Sequence, residues 1–358
     1  MRNIDFIKTQ SQVIELLRFP LIVLVVFVHM LPFEQKELYP NLDANNVYNT
    51  ITEIISHYLG RLPVPCFFLF SGYFFFYKIT EWSTHIYTSQ LKKRVKSLLK
   101  PYLCWNIIYV LVIYLKNVLF YSLGRGFDES YEELCTLSLY DIFVRLPINY
   151  PLWYLRDLIA MTILTPLFYY YYFKYTKAIG LLASLIIYLS TFESGIPGLS
   201  TTAIFYFGLG AFLGQFKYNM LKFVIPYGKI ASILAIIALG ITTYYTASEA
   251  NEYWLRVFLV FGIVSALFTG CLCTNYISLK NKLISLAPTV FFIYGLHMIY
   301  ILGWFKGGLA KSFLGVSDYG KLLGYFIIPP LCIGLILILY KLMKRFLPQT
   351  LNFITGNR

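Results

Sequence analysis

The chain has 358 residues, of which 58% are hydrophobic and only 13% charged, with a mean hydropathy of +0.64. A soluble domain is about 45–50% apolar and about 25% charged, so this composition excludes a soluble enzyme, a disulfide-rich secreted module and a disordered scaffold. The net charge of +13 does not indicate nucleic-acid binding, because the sequence has no polar domain that presents a basic surface. Several apolar runs near the ~20 residues needed to cross a bilayer predict an all-α, polytopic membrane protein.

Ten apolar segments follow one another along the chain. They cover approximately residues 14–33, 54–77, 98–121, 151–173, 178–192, 201–216, 223–246, 254–275, 285–304 and 323–343. The first follows Arg2 and Lys8 and lacks a small-residue cleavage site, so we expect an uncleaved first helix. These segments predict a single membrane-embedded domain over residues 1–358, with no appended soluble domain.

Basic residues divide unevenly between the two sides of the membrane that ten spans define. The side with the N terminus holds 20 of the 30 basic residues, whereas the opposite side holds 14 of the 17 acidic residues. The positive-inside rule therefore places both termini in the cytoplasm. One loop is discordant, because Lys306, Lys311 and Lys321 fall on the outer side. The expected location is a bacterial inner or plasma membrane.

The first apolar segment contains two ionisable residues, Arg18 and His29. An ionisable group at mid-helix costs about 2.5–3.5 kcal/mol on insertion scales, so each is a candidate for a functional site. Eleven helical steps bring the two side chains to within about 20° of one another and separate them by about 16 Å along the axis. Both should face one cavity, with Arg18 near the cytoplasm and His29 in the outer half. The alternative is a snorkelling arginine and a packing histidine.

The ninth segment contains His297, within the run FFIYGLHMIY, at a depth similar to that of His29. Two histidines at one depth can meet in a polar pocket, although depth says nothing about which way each side chain points. A simple interhelical hydrogen bond is the alternative.

The second segment reads RLPVPCFFLFSGYFFF. It places Arg61 near its outer end and Ser71 and Tyr73 toward the cytoplasm, and we expect Pro63 and Pro65 to break the helix. Irregular backbone at membrane depth is tolerated only where it lines a cavity or is buried in protein. A helix end here would offer free backbone donors to a substrate.

Two further polar groups lie near the ends of predicted spans. The fourth segment opens with PLWYLRDL, which places Trp153, Arg156 and Asp157 just inside the outer face, where the arginine and the aspartate could simply pair. The run KKRVKSLLKPY at 92–102 forms a cytoplasmic basic cluster. That cluster either anchors the protein to anionic lipid or binds a phosphate-rich ligand.

These motifs together resemble the acyltransferase-3 family of integral-membrane acyltransferases. The run IELLRFPLIVLVVFVHM is similar to the opening helix of the family, with ten residues between its arginine and its histidine. VPCFFLFSGYFFF resembles the Pro-x-Phe-Phe-x-x-Ser-Gly-Tyr segment, PLWYLRDL the Trp-aromatic-Leu helix start, and FFIYGLHMIY the late Ile-Tyr-x-x-His motif. The four occur in the order typical of the family, and the resemblance covers essentially the whole chain.

The resemblance implies transfer of an acyl group from cytoplasmic acyl-coenzyme A to a hydroxyl of a cell-surface or exported carbohydrate. A hydroxyl needs a base with a pKa near 7 within hydrogen-bond reach, which makes His29, and then His297, the candidate catalytic residues. The implied donor-binding residues are Arg18, Ser71, Tyr73, Lys93, Arg94 and Lys96. The implied acceptor-side residues are Arg61, Trp153, Arg156 and Asp157.

The expected co-substrate is acetyl-coenzyme A, with no permanently bound cofactor and no metal. The expected partners are a carbohydrate or glycolipid acceptor and membrane lipid, without nucleic acid; a homo-oligomer is left open. A transporter or flippase for a lipid-linked sugar is the second hypothesis, because it also needs buried ionisable residues and broken helices. The two halves of the sequence show no internal similarity that favours it.

Overall fold

All regular secondary structure in the described part of the chain is helical, as the all-α prediction requires. The computed structural model of the protein describes residues 6–32, 34–39, 43–79 and 81–357. Arg2 and Arg358, which entered the charge count above, lie outside the described residues.

Seventeen α-helices are present in the described residues. Those of the first half are α1 (Phe6–Val28), α2 (Ala44–Thr52), α3 (Pro63–Tyr77), α4 (Thr84–Arg94), α5 (Lys100–Ser122), α6 (Glu129–Thr136), α7 (Trp153–Ile163), α8 (Thr165–Phe168) and α9 (Lys177–Leu189). Those of the second half are α10 (Thr201–Gln215), α11 (Met220–Tyr244), α12 (Asn251–Cys273), α13 (Ile277–Leu286), α14 (Val290–Leu296), α15 (Ile301–Ala310), α16 (Asp318–Phe346) and α17 (Pro348–Thr355).

Six helical stretches of the described chain are long and apolar enough to cross a membrane. They are Thr9–Val28, Ala44–Tyr77, Thr84–Ser122, Met220–Tyr244, Asn251–Cys273 and Asp318–Phe346. A bent pair, Ile277–Leu296 and Ile301–Ala310 at 71°, makes a seventh if it is counted as one span. The predicted segments at 151–173, 178–192 and 201–216 form shorter or interrupted helices; α10, with 15 residues, is about 22 Å long against about 30 Å of hydrocarbon. The protein is therefore multi-pass, and ten spans stay a prediction.

The first helix differs from its prediction in position. It begins at Phe6 and ends at Val28, so Arg18 lies near mid-helix and His29 directly after the last turn. The apolar pattern missed the first turns because they contain polar residues, one of which is buried and bonded within the protein. Gln10 is buried, and its side-chain oxygen accepts a hydrogen bond from the backbone N–H of Met220 at 2.7 Å.

The expectation that Pro63 and Pro65 break the second segment is wrong. Both lie in the first turn of α3, where a missing N–H costs no intrahelical hydrogen bond. The irregular backbone lies just upstream instead, in the π-helical turn Glu53–Tyr58 and the 3-10 turn Leu59–Arg61. Since Gly60 packs against Val28, this irregular stretch lies beside the end of α1.

Helices α3 and α10 pack at unusually close range because glycines face each other across the contact. A Cβ atom built on Gly72 would collide with the backbone carbonyl of Phe207, and one built on Gly210 would collide with the carbonyl of Leu69. Small residues at such contacts are typical of membrane helices, whose association depends on close van der Waals packing. The Ser-Gly-Tyr sequence is therefore partly a packing motif.

We expect Gly72→Ala to lower the free energy of unfolding by about 1–3 kcal/mol, because overpacking forces two backbones apart. Gly240→Ala is the matched control, since nothing lies within 4 Å of a Cβ at that position. It should be neutral or stabilise by about 0.5–1 kcal/mol. Thermal unfolding of the two variants in detergent measures the difference, and equal midpoints would contradict the close α3–α10 contact.

Candidate active site

A cavity of about 810 Å³ follows one face of α1. On that helix its lining residues form one stripe, Ser11, Ile14, Glu15, Arg18, Ile22, Val25 and Val28, and His29 directly after the helix continues it. From Ser11 to His29 the helix rises about 27 Å, close to the thickness of the bilayer hydrocarbon. Arg18 and His29 therefore share one face and one cavity that extends across most of a membrane.

Helix α3 forms a second wall and runs antiparallel to α1. Its N-terminal end follows Gly60, which packs against Val28, whereas Tyr73 near its other end packs against Gly214. The segment just after Gly214 reaches α1 again at Gln10, through the hydrogen bond from Met220. The cavity thus has one end beside the start of α1 and another beside His29.

Three arginines line the cavity: Arg18, Arg61 and Arg94. None of them forms an ion pair with a carboxylate of the described residues. The Arg94 guanidinium lies 5.7 Å from the ring of Phe75, toward the end where α1 begins. Arg18 and Arg61 are exposed and Arg94 is partly buried, so their guanidinium groups are accessible to a ligand in the cavity. Guanidinium groups without a carboxylate partner are suited to an anionic or strongly polar ligand.

His29 and His297 meet at the other end of the cavity. Their ring centroids are 5.2 Å apart, and both side chains are buried. His29 lines the cavity, and His297 lies behind it. The sequence indicated equal depth only; the packing of α14 against α1 supplies the contact.

The hydrogen bonds of His297 fix its tautomer. Its Nδ1 lies 3.0 Å from the carbonyl oxygens of Ile293 and of Tyr294, and carbonyls only accept hydrogen bonds, so Nδ1 holds the proton. In the neutral ring, Nε2 is then an acceptor, and it has no partner among the described residues. A buried acceptor without a partner beside His29 is a group available for proton chemistry.

The other donor-side predictions divide between residues inside and outside the cavity. Ser71 lines it together with Arg94. Lys93 and Lys96 are exposed and do not line it, and Tyr73 is buried against Tyr77 with ring centroids 5.3 Å apart. Adjacent residues of a helix point about 100° apart, which separates Arg94 from Lys93.

The acceptor-side predictions divide in the same way. Arg61 and Trp153 line the cavity, but Arg156 and Asp157 do not. The Arg156 guanidinium donates to the Asp157 carboxylate at 2.8 Å and to the carbonyl of Arg145 at 2.8 Å. The pair therefore secures the segment before Tyr150 and is an internal structural contact.

Two neighbours of His29 were not predicted. The ring of Tyr150 meets the His29 ring edge-on at 6.3 Å, and the ammonium of Lys306 donates to the His29 carbonyl at 3.1 Å. The only advance signal for Lys306 was its loop, which departs from the positive-inside pattern. Glu252, which was not predicted either, lines the cavity and pairs with the buried Arg256 at 3.0 Å.

Comparison with known proteins identifies what this architecture resembles. A family model described as an acyltransferase domain matches residues 12–341. The succinoglycan biosynthesis protein ExoH of Rhizobium meliloti (strain 1021) is 26% identical over an alignment of 359 positions that covers 96% of this chain and 92% of that protein. No solved structure matches the chain.

Proposed function

The chain belongs to the acyltransferase-3 family and is a membrane acyltransferase, and we propose that it moves an acyl group, acetyl in the first instance, from cytoplasmic acyl-coenzyme A to a hydroxyl of an exported carbohydrate. One observation above all supports this proposal: a single cavity along α1 joins unpaired arginines to a histidine pair. Its volume of about 810 Å³ lies in the range typical of ligand sites, about 300–1,000 Å³.

The donor is proposed to enter at the end where α1 begins. Arg94 at that end would bind a coenzyme A phosphate, with Lys93 and Lys96 on the surface attracting the charged nucleotide before it enters. Arg18 lies deeper, near mid-helix, so its proposed partner is an oxygen of the pantetheine chain. Ser71 would line the same path.

Transfer is proposed to use His29 as the general base. The acceptor oxygen forms a bond to the thioester carbonyl carbon while His29 takes the hydroxyl proton. The carbon–sulfur bond then breaks, and coenzyme A leaves as a thiolate that takes up the proton from the imidazolium.

His297 is proposed as a positioning residue. With its proton held on Nδ1, its Nε2 accepts a hydrogen bond from the ring N–H of His29 once that ring rotates. A centroid separation of 5.2 Å allows the two nitrogens to come within reach. This bond would orient the His29 ring and favour its protonated form, as a carboxylate does in a catalytic triad.

A carbohydrate acceptor is proposed from two observations. The ring of Tyr150 contacts His29 edge-on, and Trp153 lines the same cavity together with the charged groups Arg61 and Glu252. Aromatic faces pack against the apolar faces of sugars, while charged groups bond their hydroxyls. The relative described as a succinoglycan biosynthesis protein is consistent with a polysaccharide acceptor for this chain as well.

Coenzyme A binding by the purified protein tests the donor site. We expect Arg94→Gln to weaken acyl-coenzyme A binding about tenfold or more, the scale of one charge-assisted hydrogen bond of about 1.5–3 kcal/mol. Lys93→Gln, the neighbouring cation outside the cavity, is the matched control and should change binding far less. If the wild type did not bind acyl-coenzyme A, or if both variants lost the same amount of affinity, the proposed donor site would be wrong and a transporter would be favoured.

The proposed topology has ten spans, both termini in the cytoplasm and α6 outside. Cys135 in α6 is exposed. A membrane-impermeant maleimide should label it on intact cells, and Cys135→Ser should abolish that signal. Labelling of Cys135 only after permeabilisation would place residues 128–145 in the cytoplasm and overturn the topology.

A further inference from the structure

A second cavity, of about 230 Å³, lies on the far side of the turn that follows α1. It is lined by two lysines, Lys306 and Lys321, by two tyrosines, Tyr48 and Tyr325, and by Met30. His29 lines the large cavity and Met30 lines this one, so a single turn of backbone separates the two.

The second cavity has an excess of positive charge. Lys306 forms no ion pair with a carboxylate of the described residues, and it uses one N–H on the His29 carbonyl at 3.1 Å. An ammonium has three N–H donors, so two remain. Lys321 is paired with Asp318 at 2.8 Å, and a third lysine, Lys36, lies 5.9 Å from the ring of Tyr48. The carboxylate of Glu53, in the turn after α2, pairs with His57.

The position of the cavity indicates what kind of anion it suits. Lys321 lies in the first turn of α16, a candidate membrane span, so the cavity lies at the end of a span, where lipid phosphates lie. Lysines bind phosphate as compact point charges, and the Tyr48 hydroxyl can add a neutral donor, whereas the Tyr325 hydroxyl donates to Ser56. Apolar side chains complete the walls and limit the water that screens the charges.

We propose that this second cavity binds a phosphate group at the membrane surface, through Lys306 and Lys321. The proposal explains why the loop at 305–322 places lysines on the outer side against the positive-inside pattern. It also links the phosphate to the active site, because Lys306 holds the backbone carbonyl of His29. The phosphate group is part of an anionic lipid headgroup or of a soluble or sugar-linked phosphate. The cavity recognises the phosphate group, which all of these share. The inference goes beyond acyl transfer and does not depend on it.

The test measures phosphate binding directly, without an activity readout. Purified protein is titrated with inorganic pyrophosphate in detergent, and separately placed in nanodiscs of phosphatidylcholine with or without phosphatidylglycerol; the thermal midpoint reports binding. Lys306→Gln and Lys321→Gln should each weaken the effect about tenfold, or about 1.4 kcal/mol. Lys311→Gln is the matched control, because Lys311 is exposed in the same loop and does not line the cavity.

If pyrophosphate stabilises the wild type and both lining variants weaken that effect, the cavity binds phosphate and the phosphate comes from a soluble or sugar-linked molecule. If only phosphatidylglycerol stabilises the wild type and the same variants lose that effect, the cavity binds phosphate and the phosphate is that of a lipid headgroup. No stabilisation by either probe, or the same response in the lining variants as in Lys311→Gln, overturns the proposal. If Lys306→Gln fails to fold without its contact to His29, the comparison of Lys321→Gln with Lys311→Gln decides.

Discussion

Replacing His29 by alanine should lower the rate of acyl transfer by a factor of about 10²–10⁴, the usual contribution of a general base, while folded protein stays in the membrane. The substitution removes the ring that faces both the cavity and His297. It leaves the arginines of the donor path in place, so acyl-coenzyme A binding should be nearly unchanged. Transfer is measured with purified protein, labelled acyl-coenzyme A and a carbohydrate acceptor.

His85→Ala is the matched control for this experiment. His85 is exposed on α4 and does not line the cavity, so its loss should leave transfer unchanged. Near-normal turnover in His29→Ala would remove His29 from the mechanism and leave His297 as the next candidate base. Loss of acyl-coenzyme A binding in His29→Ala would instead show that the histidine belongs to the donor site.

Arg18→Lys should reduce kcat/KM for acyl-coenzyme A about tenfold or more, although it keeps the positive charge. Lysine lacks the planar, forked donor set of a guanidinium, and its shorter reach cannot replace two parallel hydrogen bonds. Because Arg18 lies about 16 Å along the axis from His29, acceptor binding should barely change. Steady-state kinetics with donor and acceptor varied separately distinguish the two dependences.

Arg125→Lys, on an exposed loop outside the cavity, is the matched control and should behave as wild type. A defect in Arg18→Lys that appears only when the acceptor is varied would mean that the two ends of the cavity have been assigned in reverse.

Local periodicity was enough to predict part of this site. Helical geometry alone places Arg18 and His29 on one face, because Arg18 lies in α1 and His29 directly follows its last turn. The same reasoning gave equal depth for His29 and His297 but not their contact, since the direction of each side chain depends on packing between helices far apart in sequence.

The other differences have equally physical reasons. Within one run of basic residues, composition does not show which side chain faces a cavity. The sequence therefore groups Arg94, which lines the cavity, with Lys93, which does not. The start of α1 was misplaced because a buried Gln10 satisfied by Met220 looks polar in sequence. Arg156 and Asp157 are residue types common in functional sites, but here they form an ion pair with each other.

Vectorial transfer in proteoliposomes tests the proposed path of the acyl group most directly. Protein is reconstituted, and vesicles of one orientation are selected by the accessibility of Cys135 to an impermeant reagent. Labelled acyl-coenzyme A is then supplied on one side and the carbohydrate acceptor on the other. Product should form only when acyl-coenzyme A is on the side where α1 begins and the acceptor is on the side of His29. Product formed only with acyl-coenzyme A on the His29 side would contradict the proposed direction of transfer.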